Sequence, residues 1–167
     1  MICIFTDGAC STNTRIGGWG FQVVQCDTKK DEEDVLYLGS GSATDTTNNE
    51  MELTALLNAL NWVAGNAANE KVQIFCDSAY IVNCFKEQWY KRWQSNGWLT
   101  ADRQPVKHRE LWEMILEKLG ILHLDGPLYT LDVKIDKVSA HSGIAGNEAA
   151  DKLAVGAKEL ASNKKDK

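Results

Sequence analysis

The chain has 167 residues, 44% hydrophobic and 25% charged, with 2 Pro, 13 Gly and a formal net charge of −5. This is the composition of a globular domain with enough apolar material for its own core, and it excludes collagen-like and broadly disordered chains. There is no run of 18 apolar residues, so a membrane-spanning helix is excluded as well. Residues 1–7 show neither the basic start nor the apolar stretch of a secretory signal. The five cysteines (Cys3, Cys10, Cys26, Cys76, Cys84) are odd in number and lack CxxC spacing. They read as reduced core or near-core thiols of a cytoplasmic protein, with two disulfides and one free thiol as the alternative.

In chain order, Ile2–Asp7 is an apolar run suited to a buried strand. Trp19–Cys26 and Val35–Ser42 are rich in Val, Phe, Tyr and Leu and predict two further strands, joined by the charged stretch Asp27–Asp34 as an exposed hairpin loop. Met51, Leu56, Leu57, Leu60 and Val63 fall near the helical period, which predicts a helix over 51–63 with Gly65 at its C-cap. Lys71–Cys76 is a fourth strand, followed by two short helices at Ser78–Phe85 and Lys86–Gln94. Asn96-Gly97 opens a loop to Pro105, and Leu111–Leu119 is a helix closed by Gly120. Leu131–Val138 alternates as a half-buried strand, and Asn147–Leu160 is a final helix with Ala149, Ala150, Leu153, Ala154 and Ala157 on its apolar positions. This order predicts an α/β fold: a five-stranded mixed sheet, three antiparallel strands continued by parallel ones, flanked by helices. One domain is expected over residues 1–160, with 161–167 a frayed tail.

The charge is unevenly spread. Between Lys86 and Arg109 six bases (Lys86, Lys91, Arg92, Arg103, Lys107, Arg109) face two acids (Glu87, Asp102), a local +4 against −9 for the rest of the chain. Trp89, Tyr90, Trp93 and Trp98 lie in the same window. A basic, aromatic segment on an acidic body can contact a polyanion, and it can equally be a Trp-rich helical pair packed on its own core.

Ligand sites in open α/β sheets lie beyond the carboxyl ends of the parallel strands. Asp7 and Asp77 end the first and fourth predicted strands, and Glu52 and Asp151 fall in the first turns of the two long helices. Singly, each acid reads as a turn former or a partner of the helix dipole. Four carboxylates in one crevice would raise one another's pKa and oppose folding, an arrangement that makes sense when divalent cations with oxygen-ligand preference occupy it.

The segments TDGAC (Thr6–Cys10), TTNNEMELTAL (Thr46–Leu56), DSAYIV (Asp77–Val82) and AHSGIAGNEAADKLA (Ala140–Ala154) resemble the four motif blocks of type 1 ribonuclease H, in that family's order and approximate spacing. The resemblance runs from Met1 to about Ala157, and the Trp-rich segment with Asn96–Trp112 resembles the basic substrate-binding protrusion of the bacterial-type enzymes. It implies a ribonuclease H-like fold and an endonuclease that hydrolyses the RNA strand of RNA–DNA hybrids by two-metal-ion catalysis, leaving 5′-phosphate and 3′-hydroxyl ends. The alternative is a non-catalytic or altered-specificity hybrid- or duplex-binding member of the same fold.

Carried over by motif position, Asp7, Glu52, Asp77 and Asp151 would hold two Mg²⁺, with Mn²⁺ as a substitute, and His141 would serve proton handling or product departure. Asn13, Asn48 and Asn49 match the substrate-contacting asparagines, Thr47 a contact to a DNA-strand phosphate, and Trp89, Lys91, Arg92, Trp93 and Trp98 the wall of a channel for that strand. His108 and His123 read as ordinary surface or packing residues. The expected partner is an RNA–DNA hybrid, with no membrane, a monomeric cytoplasmic protein, and a single-strand binding or replication partner left open. The chain departs from the family pattern at the STNTRIGG loop after Cys10, at Asp45 in place of a frequent base, and at Ala79 in place of a frequent Gln.

Overall fold

Both faces of the first strand are apolar. Ile2 and Ile4 on one face and Cys3 and Phe5 on the other are each at most 6% exposed, and a strand buried on both faces belongs inside a sheet. The computed structural model, which describes residues 1–26, 34–122, 131–138 and 145–165, has it there. The strands are β1 (Ile2–Cys10), β2 (Gly17–Gln25), β3 (Asp34–Ala43), β4 (Val72–Cys76) and β5 (Val133–Lys137), in the order β3-β2-β1-β4-β5. β1 pairs antiparallel with β2, and β2 with β3, while β4 lies parallel to β1 and β5 parallel to β4. The predicted mixed sheet is therefore the observed one.

The helices are α1 (Asn48–Asn66), α2 (Ala79–Lys86), α3 (Trp89–Asn96), α4 (Arg109–Lys118) and α5 (Ala145–Lys165). On one face of the sheet, Ile2, Ile4, Phe21 and Ile74 form a core with Leu53, Leu56 and Leu60 of α1 and Trp112, Ile115 and Leu116 of α4. On the other, Cys3, Phe5 and Val24 pack on Ala150 of α5. α5 lies directly on β2, because a Cβ at Gly18 or Gly20 would run into the helix backbone at Ala154.

Several boundaries differ from the sequence expectation. β1 does not end at Asp7; its antiparallel ladder with β2 continues to Cys10↔Gly17, while its parallel ladder with β4 stops at Thr6↔Cys76. α1 starts at Asn48, before its first apolar residue, because the Thr47 side chain accepts the Glu50 N–H at 3.2 Å. It also runs through Gly65 to Asn66, with Ala67 at the C-cap. α5 extends to Lys165, and Ala161 and Lys164 line a groove beside β3. The cysteines are not all reduced: Cys3 and Cys26 form a disulfide, and Cys10, Cys76 and Cys84 are free. The register Ile2↔Gln25 and Cys3↔Val24 sets Cys3 diagonally across from Cys26 on the α5 face, with 5.9 Å between their Cα atoms. Single-residue spacing gave no hint of that register.

Candidate active site

The end of the β1–β4 parallel ladder positions two acids. Asp7 and Asp77 are the first residues beyond the Thr6↔Cys76 pair, side by side at the carboxyl end of the central strands. α1 crosses β1 at Gly8, where a Cβ would collide with the backbone of Met51 and Glu52, and this contact brings Glu52 over the same point. Carboxylate oxygens of Asp7, Glu52 and Asp77 lie within 4.8 Å of one another. Asp151 of α5 falls outside that tight group but lines the same cleft of about 400 Å³, with Asn48, Asn49, Ser78 and Tyr80. The Asp7 Oδ1 accepts the Gly8 N–H at 2.9 Å.

Electrostatically the cluster is costly. Burial, then the charge of Asp77, pushes the Asp7 carboxyl up to about 7. Burial, then the charges of Asp7 and Asp77, pushes Glu52 higher still. Glu52 is 3% exposed, and its Oε2 has no hydrogen-bond partner. An orphaned buried carboxylate oxygen among two more hard oxygen donors fits a divalent cation, which would supply the missing partner and offset the like-charge repulsion.

Asn49 and Tyr80 line both this cleft and a neighbouring groove of about 350 Å³, so the two are continuous. Trp89, Arg92, Trp93 and Lys107 lie along that groove. Among the channel residues expected from sequence, Arg92 is exposed and Trp89 half-buried, with Trp89 Nε1 donating to Glu87 Oε2 at 2.6 Å. Trp93 and Trp98 are each 7% exposed, stacked at 5.6 Å, with the Arg109 guanidinium 5.1 Å from the Trp98 ring centre. Both belong to the main hydrophobic core, and Trp93 reaches the groove while Trp98 does not. Lys91 is exposed and lies off the groove lining. Asn48 and Asn49 are exposed on the rim of the acid cleft, Thr47 caps α1, and Asn13 sits in the β1–β2 turn away from the cleft lining. His141 lies outside the described residues.

Sequence reasoning passed over Tyr80, Gln104 and His108, which line the groove. Tyr80 had a usable signal, standing three residues after Asp77 on the first turn of α2; its hydroxyl accepts the Trp112 Nε1–H at 2.9 Å. His108, at the N-cap of α4 with a φ of 62°, had none. Two of the departures from the family pattern meet in space: Arg15 of the STNTRIGG loop pairs with Asp45 at 3.3 Å, and its carbonyl accepts the Thr46 N–H at 3.0 Å. Together they tie the β1–β2 turn to the start of α1.

A mixed sheet with clustered acids at the ends of its central parallel strands is the architecture of ribonuclease H-type proteins. LC9-RNase H1, described as a type 1 RNase H with the type 2 active-site motif, superimposes with a TM-score of 0.76 at 25% identity, covering 95% of this chain and 72% of that one. LC11-RNase H1, solved in complex with an RNA/DNA hybrid, shares the fold with a TM-score of 0.69 at 21% identity, covering 96% of this chain and 99% of that one. The RNase H family model matches residues 1–159. The ribonuclease H of Acetivibrio thermocellus is 38% identical over 153 residues, which cover 92% of this chain and 91% of the relative. The chain belongs to the RNase H family.

Proposed function

We propose that this protein is an endonuclease that hydrolyses the RNA strand of RNA–DNA hybrids, leaving 5′-phosphate and 3′-hydroxyl ends. The observation that carries this reading is the meeting of Asp7, Glu52 and Asp77 within 4.8 Å in a member of the RNase H family. Asp7, Glu52, Asp77 and Asp151 are the residues that would hold divalent ions, with Mg²⁺ the favoured species because every donor is a carboxylate oxygen. Bound as a pair, such ions supply Lewis-acid stabilisation of the attacking and leaving oxygens of an in-line displacement.

The chain's own residues do the rest. Asp7, whose carboxylate lies within 4.8 Å of those of Glu52 and Asp77 and lines the same cleft as Asp151, is the acid that joins the two halves of the site. Asn48 and Asn49, exposed at the cleft rim, offer amides that both donate and accept, as recognition of a ribose 2′-hydroxyl requires. Arg92 and Lys107 in the adjoining groove give cations to the phosphates of the DNA strand, and Trp89 an aromatic face to its sugars. His141, by its motif position, takes or gives the proton at the leaving oxygen.

The test is cleavage of end-labelled RNA–DNA, RNA–RNA and DNA–DNA duplexes, with Mg²⁺ or EDTA, by wild type and Asp7→Asn. The expected result is cutting of the hybrid's RNA strand alone, with metal alone and by wild type alone. Hybrid binding without cutting would make the protein a non-catalytic module, and equal cutting of all duplexes would overturn the 2′-hydroxyl reading.

A further inference from the structure

Residues 44–47 alone join β3 to α1, and the β1–β2 turn of residues 11–16 braces them from outside. The turn is closed on itself: the Ser11 N–H donates to the Ile16 carbonyl at 3.0 Å, and the Arg15 N–H to the Ser11 carbonyl at 2.9 Å. From there the contacts cross to the link. The Thr46 N–H donates to the Arg15 carbonyl at 3.0 Å, and the Cys10 thiol donates to the Thr46 carbonyl at 3.4 Å. The Arg15 Nε lies 3.3 Å from Asp45 Oδ1. Thr46 is 2% exposed, its methyl group standing where a Cβ on Gly17 would have to go. The next residue, Thr47, caps α1, and Asn48 and Asn49 after it stand on the rim of the acid cleft.

The two charged members of this brace hold costly backbone angles. Arg15 has a φ of 56° and Asp45 a φ of 50°, the left-handed region that glycine, and asparagine after it, adopts at less cost. Strain of this kind persists only where the surrounding structure holds it, and it gathers at functional sites. Stability is no reason to keep it, because an ion pair with side chains 57% and 84% exposed adds little. Neither side chain lines the acid cleft or the adjoining groove. What the pair does reach is the link that leads into Asn48 and Asn49.

We propose that Arg15 and Asp45 are positioning residues for hybrid recognition, clamping the β3–α1 link so that Asn48 and Asn49 meet the ribose strand in a fixed place. The proposal rests on the reading of those two amides as 2′-hydroxyl contacts. The backbone bonds at Thr46 set the course of the link on its inner side. The ion pair closes its outer side, at the residue where the chain turns from β3 toward α1.

Steady-state hybrid cleavage with Mg²⁺ and thermal melting, on wild type, Arg15→Gly, Asp45→Asn and the double variant, test this. Both substitutions suit a positive φ, so the turn and its backbone bonds stay while the ion pair goes. Each single variant is expected to raise KM about twofold to fivefold, the range of an exposed pair, with kcat and melting temperature close to wild type. The double variant is expected to match the singles rather than multiply them, because the same pair is lost in all three. Arg15→Lys, which keeps the charge, is expected to stay near wild type. Unchanged KM in both singles overturns the proposal. So does a lowered KM in Asp45→Asn, which would make that carboxylate a repulsive charge and nothing more. Effects that multiply would make Arg15 an independent contact to the substrate, and a fall in melting temperature that accounts for the loss would make the pair structural; either overturns the clamp. Wild type that cuts no hybrid overturns the function on which the clamp rests, an outcome distinct from hybrid cutting that the variants leave untouched.

Discussion

The backbone nitrogen of Glu52 packs against Gly8 so closely that residue 8 has no room for a Cβ. The reason lies in the tertiary structure rather than in the backbone angles of Gly8: α1 must cross β1 at this point for the buried Glu52 carboxylate to meet Asp7. Gly8→Ala is therefore expected to push α1 outward, costing about 1–3 kcal/mol as overpacking does and lowering cleavage more than stability alone explains. Thermal melting and hybrid cleavage measured on the same preparation check both effects. Full activity with an unchanged melting temperature would show that α1 needs no such contact.

Asp7→Asn removes one charge from the cluster without changing its shape. In the absence of metal it should raise stability by about 1–2 kcal/mol, or roughly 2–8 °C for a domain of this size, while abolishing cleavage. A calorimetric scan in EDTA checks the sign; a clear fall in melting temperature would make Asp7 a structural turn residue.

The same repulsion sets a pH dependence. The Asp7 carboxyl, raised from 3.8 to about 7, stays protonated in the folded protein after the unfolded chain has lost its proton. Its contribution to metal-free stability is thus fully present below pH 3.8 and is lost as pH rises through about 7. The gap in melting temperature between Asp7→Asn and wild type should widen over that window in EDTA and narrow when Mg²⁺ is added. A gap independent of pH would show that the carboxyl is not held protonated.

Arg92 is exposed on the groove that continues the acid cleft through Asn49 and Tyr80. If it contacts a phosphate, Arg92→Ala should raise KM for hybrid with little change in kcat. It should also lower the slope of log affinity against log salt by about one. Lys91→Ala, off the groove, should do neither. Steady-state kinetics and binding titrations at several salt concentrations separate the two.

The Cys3–Cys26 disulfide closes a loop spanning 23 positions between β1 and β2. Chain-entropy reasoning gives such a loop about 3 kcal/mol of stabilisation, so melting with a thiol reductant should occur several degrees lower than without. Titration of the denatured, unreduced protein should find the three thiols of Cys10, Cys76 and Cys84. Five thiols without reductant would mean the bridge does not form.

Much of this molecule is written in local patterns. Apolar runs, alternation and helical periodicity locate the five strands and five helices found among the described residues. The acids can be recognised because Asp7 and Asp77 follow short apolar runs and Glu52 and Asp151 fall early in helical patterns, and four motif blocks in order carry the family resemblance. What long-range packing decides is invisible to that reading. The 4.8 Å meeting of residues 7, 52 and 77 depends on a parallel ladder and on a helix lying against a glycine. Burial of Trp93 and Trp98 follows from their packing into the main core, where Trp93 stacks on Trp98 and meets Trp112 of α4. The disulfide follows from a diagonal register between β1 and β2. The exposure of Val35–Leu38 follows from β3 being the last strand of the sheet, an edge position that its own apolar residues do not signal. Spacing along one chain constrains a residue's neighbours within an element; register, edge position and close approach are set by elements far apart in sequence, and only folding brings them together.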